Sequence, residues 1–330
     1  MNKKNRNVGI ILIVLLLLVI LASMMFGSVK LSMDRIIAAF MGKDRNAEVI
    51  LFRLRLPRLA AALLAGAGLA TAGFILQTVT DNGLCAPNII GVNSGAGFFV
   101  MLIMCFFPKL WRLQPISAFI GALTATFIVL AIGQRSRGYG SKSTIILAGV
   151  AISSLLSAGI SFLSLKFPDV LSSYMAFSVG GFSGVTLSQL AVPALIIALC
   201  FCISMLIAPK LGMLCMGDDA AANFGVNVPK IRITAIVLSS ALCAAVVSFA
   251  GLLGFVGLVV PHMVRRLVDG SLRLCLPYTV LCGGILTALS DLAGRTLFTP
   301  GELPAGLIMA FIGAPFFIYL LLRRAGRNLV

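Results

Sequence analysis

Acidic residues are scarce in this chain. Its 330 residues include ten Asp and Glu against 26 Lys and Arg, one histidine and one tryptophan. Charged residues of both signs make up 11%, where soluble domains carry about 25%. With a mean hydropathy of +1.09 over the whole length, that leaves no room for a soluble catalytic domain, so a tethered enzyme is excluded. One histidine and eight cysteines without a C-x-x-C indicate neither a Cys/His metal site nor a reactive thiolate. The cysteines lie in apolar runs (Cys200, Cys202, Cys243 and Cys282 among them) and read as small intramembrane hydrophobes. There is no G-x-x-x-x-G-K-S/T phosphate loop, so the chain does not hydrolyse nucleotide itself, and no nucleophile–base constellation marks a catalytic residue. No apolar run has an acid near its middle. Intramembrane carboxylates are costly and usually mark an ion or proton path, so their absence argues against a stand-alone secondary transporter or channel. Any driving energy must come from a partner.

What the chain has in quantity is apolar surface. Sixty per cent of its residues are hydrophobic, and a membrane-spanning helix takes roughly 20, which gives room for about ten spans. The first run, Val8 to Phe26, follows Lys3, Lys4 and Arg6; it exceeds the ~7–15-residue core of a signal peptide and reads as an uncleaved span, about 8–27. Further runs lie at about 59–79, 92–107, 115–133, 144–165, 190–208, 233–250, 252–265, 276–294 and 304–322. The run 252–265 would rise only about 21 Å, short of a ~30 Å hydrocarbon core.

Charge decides the count. With ten spans and both termini in the cytoplasm, fifteen basic residues fall inside: Lys3, Lys4, Arg6, Arg135, Arg137, Lys142, Lys210, Lys230, Arg232, Arg265, Arg266, Arg273, Arg323, Arg324 and Arg327. If 252–265 failed to cross, the last two clusters would face outward. The formal charge of +16 is therefore read as topology-setting, with no nucleic-acid partner. The expected fold is an all-α polytopic membrane protein, residues 1–330 forming one transmembrane domain with an outer segment 28–57.

Seven basic residues lie in the outer stretch 30–58, and Arg53-Leu54-Arg55-Leu56-Pro57-Arg58 has no acid at all. Pro57 suits a first helical turn, which puts Arg58 against the helix dipole at about 0.3–1 kcal/mol. Two readings stand: interfacial snorkelling, or a docking site for an acidic partner that guanidinium groups would pair bidentately. Asp291 and Arg295 are spaced to pair with each other. His262 reads as orienting the Arg265-Arg266 turn. Gly66, Gly68 and Gly73 suit close helix packing, and Gly251, Gly254 and Gly257 before Pro261 suit either packing or a broken helix. The longest inner polar segment, about 209–232, contains Gly217 before Asp218-Asp219, a helix start, and Gly225, a helix stop. A short surface helix there suits either a solvated connector or contact with a cytoplasmic protein.

These residues together resemble the FecCD/BtuC family, the permease subunits of type II ABC importers for ferric siderophores, haem and cobalamin. The resemblance runs through Arg55-Leu-Pro-Arg58, Gln77, Asn82-Gly-Leu84-Cys-Ala-Pro87-Asn-Ile-Ile-Gly91, Leu147-Ala-Gly149, Gly217 to Val226, Gly254-Phe-Val-Gly-Leu-Val-Val-Pro261-His262, and Glu302-Leu-Pro304-Ala-Gly306 to Pro315. It implies a multi-pass protein of the inner (cytoplasmic) membrane, surrounded by lipid and paired with a second permease subunit, as a homodimer or as half of a paired heterodimer. It also implies two cytoplasmic ATPase subunits carrying ATP and Mg, with no cofactor on this chain. Those subunits would couple through Gly217, Asp218, Asp219, Ala221, Phe224, Gly225 and Val226. An extracytoplasmic binding protein would present glutamates to Arg55, Arg58 and Arg295, and the cytoplasmic gate would lie at Asn82, Leu84, Ser143 and Thr144. Gly83, where the family often has proline, implies a looser gate loop. Ferric siderophores are the first expectation for cargo, with cobalamin and haem as alternatives.

Overall fold

A computed structural model of the chain describes residues 3–27, 29–135, 142–298 and 301–325, and every regular element among them is helical. The first apolar run is α1 (Lys3–Met25). The stretch expected to be an outer connector folds into α2 (Met33–Phe40), α3 (Arg45–Glu48) and a π-helical segment, Val49–Arg55, that continues into α4 (Leu56–Thr80). There follow α5 (Val92–Phe106), α6 (Gln114–Arg135), α7 (Lys142–Lys166), α8 (Leu171–Val179), α9 (Leu187–Leu214), α10 (Asp218–Asn223), α11 (Val228–Ala250), α12 (Val256–Leu267), α13 (Leu272–Thr296) and α14 (Ala305–Ala325). Arg137 and Arg327, two of the basic residues used for the topology, lie outside the described residues.

The chain is an all-α polytopic membrane protein. Among the described residues, seven helices are long and apolar enough to cross a membrane: α1, the helix ending as α4, α6, α7, α9, α11 and α13. The other three expected runs form α5, α12 and α14. At 15 and 12 residues, α5 and α12 rise only about 22 and 18 Å, short of a ~30 Å core. Neither α2 nor α8 is legible as a separate element in the sequence. Asp44 supplies one local reason for the first, capping α3 by accepting from the Ala47 amide at 3.0 Å while Arg35 Nε donates to it at 2.9 Å. That Arg35 hydrogen bond, aided by the capped amide, holds its carboxyl below the usual range.

α4 packs against α13, α11, α12 and α9, so it forms the centre of the bundle. Its small residues make this possible. A Cβ on Gly66 would meet the carbonyl of Gly283 on α13, and one on Gly73 would meet the carbonyl of Gly257 on α12. Backbones at that distance are then tied by side chains: the Thr287 hydroxyl donates to Ala62 O at 2.6 Å and the Ser239 hydroxyl to Ala72 O at 2.9 Å. Gly73→Val should therefore lose about 3 kcal/mol, the upper end of overpacking costs, because the obstacle is backbone and cannot rotate away. Gly254→Val is the control, since nothing lies within 4 Å of its added Cβ. Size-exclusion profiles of detergent-extracted protein would check the pair; equal monodisperse yields would overturn the expectation.

The second glycine cluster breaks a helix, as one of its two readings expected. α11 ends at Ala250, residues 251–254 are non-helical, and α12 starts after Phe255, which has a left-handed φ of 65°. The break is held from two sides. Leu252 N–H donates to Phe177 O at 3.1 Å and Gly181 N–H to Ala250 O at 2.8 Å, while Gly306 N–H, opening α14, donates to Gly180 O at 3.2 Å. Three chain segments thus meet at one end of the bundle.

Candidate functional site

Two polar regions occupy opposite ends. At the first end, π-helical Val49–Arg55 and the start of α4 carry Arg55 and Arg58, the end of α13 carries Asp291 and Arg295, and the turn before α14 carries Glu302. Asp291 is only 2% exposed and accepts from Arg58 Nε at 2.9 and 3.1 Å; Arg295 Nε lies 3.3 Å from its other side. Arg58 Nη1 donates to Glu302 Oε2 at 2.6 Å. Arg55 turns inward, donating to the carbonyls of Met24 in the last turn of α1 and of Val29 just after it, and Arg295 Nη2 donates to Ser23 O at 3.2 Å. Two guanidinium groups, those of Arg55 and Arg295, come close enough to Gly27 that a Cβ there would lie 3.3 Å from each. A pocket of about 500 Å³ opens over this cluster, walled by Arg53, Leu54, Arg55, Arg58, Arg295, Glu302 and the 183–186 loop.

The three arginines expected from the sequence are thus brought together, but not as a bare surface. Arg55 and Arg295 are 6% and 5% exposed, held by chain carbonyls and, for Arg295, by Asp291; of the arginines in the run, Arg53 is the exposed one. The dipole penalty expected for Arg58 is offset by Asp291 and Glu302. Sequence reasoning paired Asp291 with Arg295 correctly, one turn apart, and missed its stronger contact to Arg58, 233 positions away, for which no local signal exists.

At the opposite end, α10 starts at Gly217 (φ 106°) and stops at Gly225 (φ 79°), as the sequence predicts. Val226 N–H reaches Ala221 O at 3.0 Å and Gly225 N–H reaches Ala222 O at 2.9 Å, the double closure of a Schellman stop. Ala221 and Val226 are buried by that closure. Asp218 receives Arg232 Nη2 at 2.7 and 2.9 Å, pinning the start of α10 to α11. Asp219, Ala222 and Phe224 remain outward, and Phe224 is 67% exposed with Met216 beside the helix at 68%. Of the seven residues expected to couple, then, Asp219 and Phe224 present side chains outward, while Asp218, Ala221 and Val226 hold the helix in place.

The loop after α4 lies at this same end and is tight, which corrects the looser loop expected from Gly83. Asp81 takes a left-handed φ of 52°, Asn82 Oδ1 accepts from Leu84 N–H at 3.0 Å, and Cys85 N–H donates to Asn82 O at 3.0 Å. Gly83 serves a close approach: a Cβ there would lie 2.7 Å from Cε1 of His262 on α12. One turn on, Arg265 donates to Thr78 Oγ1 at 3.0 Å and stacks over Phe74, 5.2 Å from its centroid. His262 and Arg265 therefore belong to this loop's surroundings, a relation the sequence does not reveal. Ser143 and Thr144 open α7, exposed and half-buried. Contact between α7 and the chain after Leu84 runs through Gly149, whose Cβ would meet Ile89 O, more than a turn from Thr144. Among the described residues, no group of three or more His, Cys, Asp or Glu could hold a metal.

Comparison with known proteins gives a consistent picture. The model of the FecCD transport family matches residues 15–323. The chain is 34% identical over 322 residues to the Fe(3+)-citrate import system permease protein YfmE of Bacillus subtilis (strain 168), covering 97% of this chain and 96% of that protein. It is 35% identical over 303 residues to IsdF of Staphylococcus aureus (strain MSSA476), named a probable heme-iron transport system permease protein, covering 91% and 90%. Its fold superposes with a TM-score of 0.86 and 30% identity on a solved metal-chelate type ABC transporter in an inward-facing conformation, over 96% of this chain and 99% of that one.

Proposed function

Because the chain belongs to the FecCD transport family, we propose that it is the membrane-spanning permease subunit of an ATP-driven importer whose cargo is a ferric chelate. The observation that carries this reading is the pairing of a family match along almost the whole chain with a short exposed helix, α10, on a chain with no nucleotide-binding loop. The cargo class is supported by relatives named for ferric citrate and heme-iron. The permease sits in the inner (cytoplasmic) membrane and crosses it ten times with both termini in the cytoplasm. Two contacts favour that arrangement: Asn5 bonds Asp269 between α12 and α13, and α14 starts at the arginine end and runs away from it. The α10 end is cytoplasmic, and the arginine end faces outward.

Each end then has a task. ATPase subunits, which bind ATP and Mg, seat against Phe224, Met216 and Asp219. Their movement reaches α11 through the Asp218–Arg232 pair, and α11 packs on α4. The loop Asn82–Leu84, with Ser143 and Thr144 on the neighbouring helix, closes the cytoplasmic exit. Outside, a chelate-binding protein offers carboxylates to the pocket walled by Arg53 and Arg58, replacing Glu302 as the partner of Arg58. A second copy of the permease completes the path.

Uptake tests the reading. Cells lacking this gene should lose import of radiolabelled ferric citrate, or of a ferric siderophore, with restoration by the gene. An uncoupler applied at constant ATP should leave that uptake standing. Uptake that stops with the uncoupler while ATP is held would reject the importer. Loss of haem or cobalamin uptake alone would keep the architecture and change the cargo.

A further inference from the structure

Near the α10 end, but on a different face, α1, α9 and α13 enclose a groove of about 660 Å³. Its walls are Ile10 and Ile13 of α1, Met205 of α9, and Leu274, Pro277 and Leu281 of α13, all apolar. The groove exists because α1 makes its main contact along α13 and leaves most of its apolar side chains outward, while α9 also packs on α13. Its polar mouth is formed by Arg6, Arg273 and Ser271.

That mouth is positive and uncompensated. The local acid, Asp269, is taken by Lys4 at 2.6 Å, and among the described residues neither Arg6 nor Arg273 has an ion-pair partner. Arg273 lies in the first turn of α13, where a cation opposes the helix dipole, and the Ser271 cap makes no side-chain hydrogen bond. The arrangement is nevertheless rigid. Asn5 donates to Asp269 O at 2.6 Å, Asp269 N–H donates to Asn5 Oδ1 at 3.1 Å, and Tyr278 Oη donates to Asn5 O at 3.0 Å, which fixes the start of α1 beside α13. Two unpaired arginines carried on this fixed backbone at the mouth of an apolar groove call for a ligand with an anionic head and hydrocarbon tails.

We infer that this groove is a binding site for one anionic phospholipid, its phosphate between Arg6 and Arg273 and its acyl chains along Ile10, Ile13, Met205 and Leu281. Basic pockets between membrane helices on the cytoplasmic side recognise such headgroups. The apolar walls exclude free phosphate as the natural occupant. The site is independent of cargo and of the transport assignment, and it joins the loosely packed α1 to the core through lipid.

The test uses the full permease purified into mild detergent and read by native mass spectrometry after addition of phosphatidylglycerol or phosphatidylcholine. One phosphatidylglycerol per chain is expected to remain bound, and phosphatidylcholine is not. Arg6→Gln with Arg273→Gln should weaken retention roughly thirtyfold. Lys210→Gln, which removes one positive charge at the same end but outside the groove and so matches each single arginine variant, should leave it unchanged. Thermal midpoints of all variants keep misfolding separate from lost binding, and each single arginine variant should give an intermediate loss. Equal retention of the two lipids, displacement by millimolar inorganic phosphate, or equal loss with Lys210→Gln would overturn the assignment.

Discussion

Asp291→Asn is expected to cost about 3–5 kcal/mol of stability, the largest single effect of any polar substitution at the arginine end. The side chain is isosteric, so packing is unchanged and the loss is electrostatic. Asp291 is almost fully buried between Arg58 and Arg295, and its carboxylate is the ion-pair partner that Arg295 has in the structure. Removing the charge leaves one guanidinium buried with a backbone carbonyl as its remaining acceptor, and breaking a buried pair from one side is far more costly than never having built it. The thermal midpoint of purified protein should fall by roughly 10 °C. Adding Arg295→Gln should restore part of the loss, a coupling that a double-mutant cycle measures directly. An unchanged midpoint for Asp291→Asn would show that the pair carries no weight. Glu302→Gln gives the contrast. Its carboxylate is exposed, so stability should change by less than about 1 kcal/mol. Affinity for the binding protein should rise, since Arg58 is released for a partner's carboxylate.

The second large effect lies at the other end. Phe224→Asp should abolish stable association with the ATPase subunits and with it uptake, while leaving the permease folded. The side chain is two-thirds exposed on a helix whose own stop is made by Ala221, Gly225 and Val226, so nothing inside the chain depends on it. An aromatic anchor at the centre of a docked surface is worth about 2–4 kcal/mol, a loss of roughly 30- to 1,000-fold in affinity. Co-purification of ATPase and an unshifted midpoint, measured together, check both halves. Retained ATPase with normal uptake would remove α10 from the coupling role. Asp218→Ala should behave differently, since Asp218 is a positioning residue. It loosens the start of α10 by releasing Arg232, and should lower coupling without removing the contact surface.

How much of this was legible beforehand follows from where each determinant lies along the chain. The apolar runs predict ten of the helices to within about six residues at either end, because insertion in lipid requires each run to satisfy its own backbone. Gly217 and Gly225 bracket α10 correctly because a left-handed cap is a local demand that glycine meets at no steric cost. The motif arginines were visible as an acid-free run, and their mutual nearness was implied only by family resemblance. The helices α2 and α8 were not visible, since eight or nine residues make little more than two turns, a window too short to separate a surface helix from a connector.

By itself the sequence determined the class of molecule, the number of apolar segments, the absence of a phosphate loop and the ends of its short surface helix. All of these are set by composition or by neighbours a few residues apart. Only the tertiary structure decided which arginines are exposed, that Asp291 and Glu302 hold Arg58, that His262 rests on Gly83, and that Arg6 and Arg273 line one apolar groove. Those relations join residues more than 170 positions apart. They depend on how closely backbones approach at Gly66, Gly73 and Gly257, a distance that no local pattern encodes.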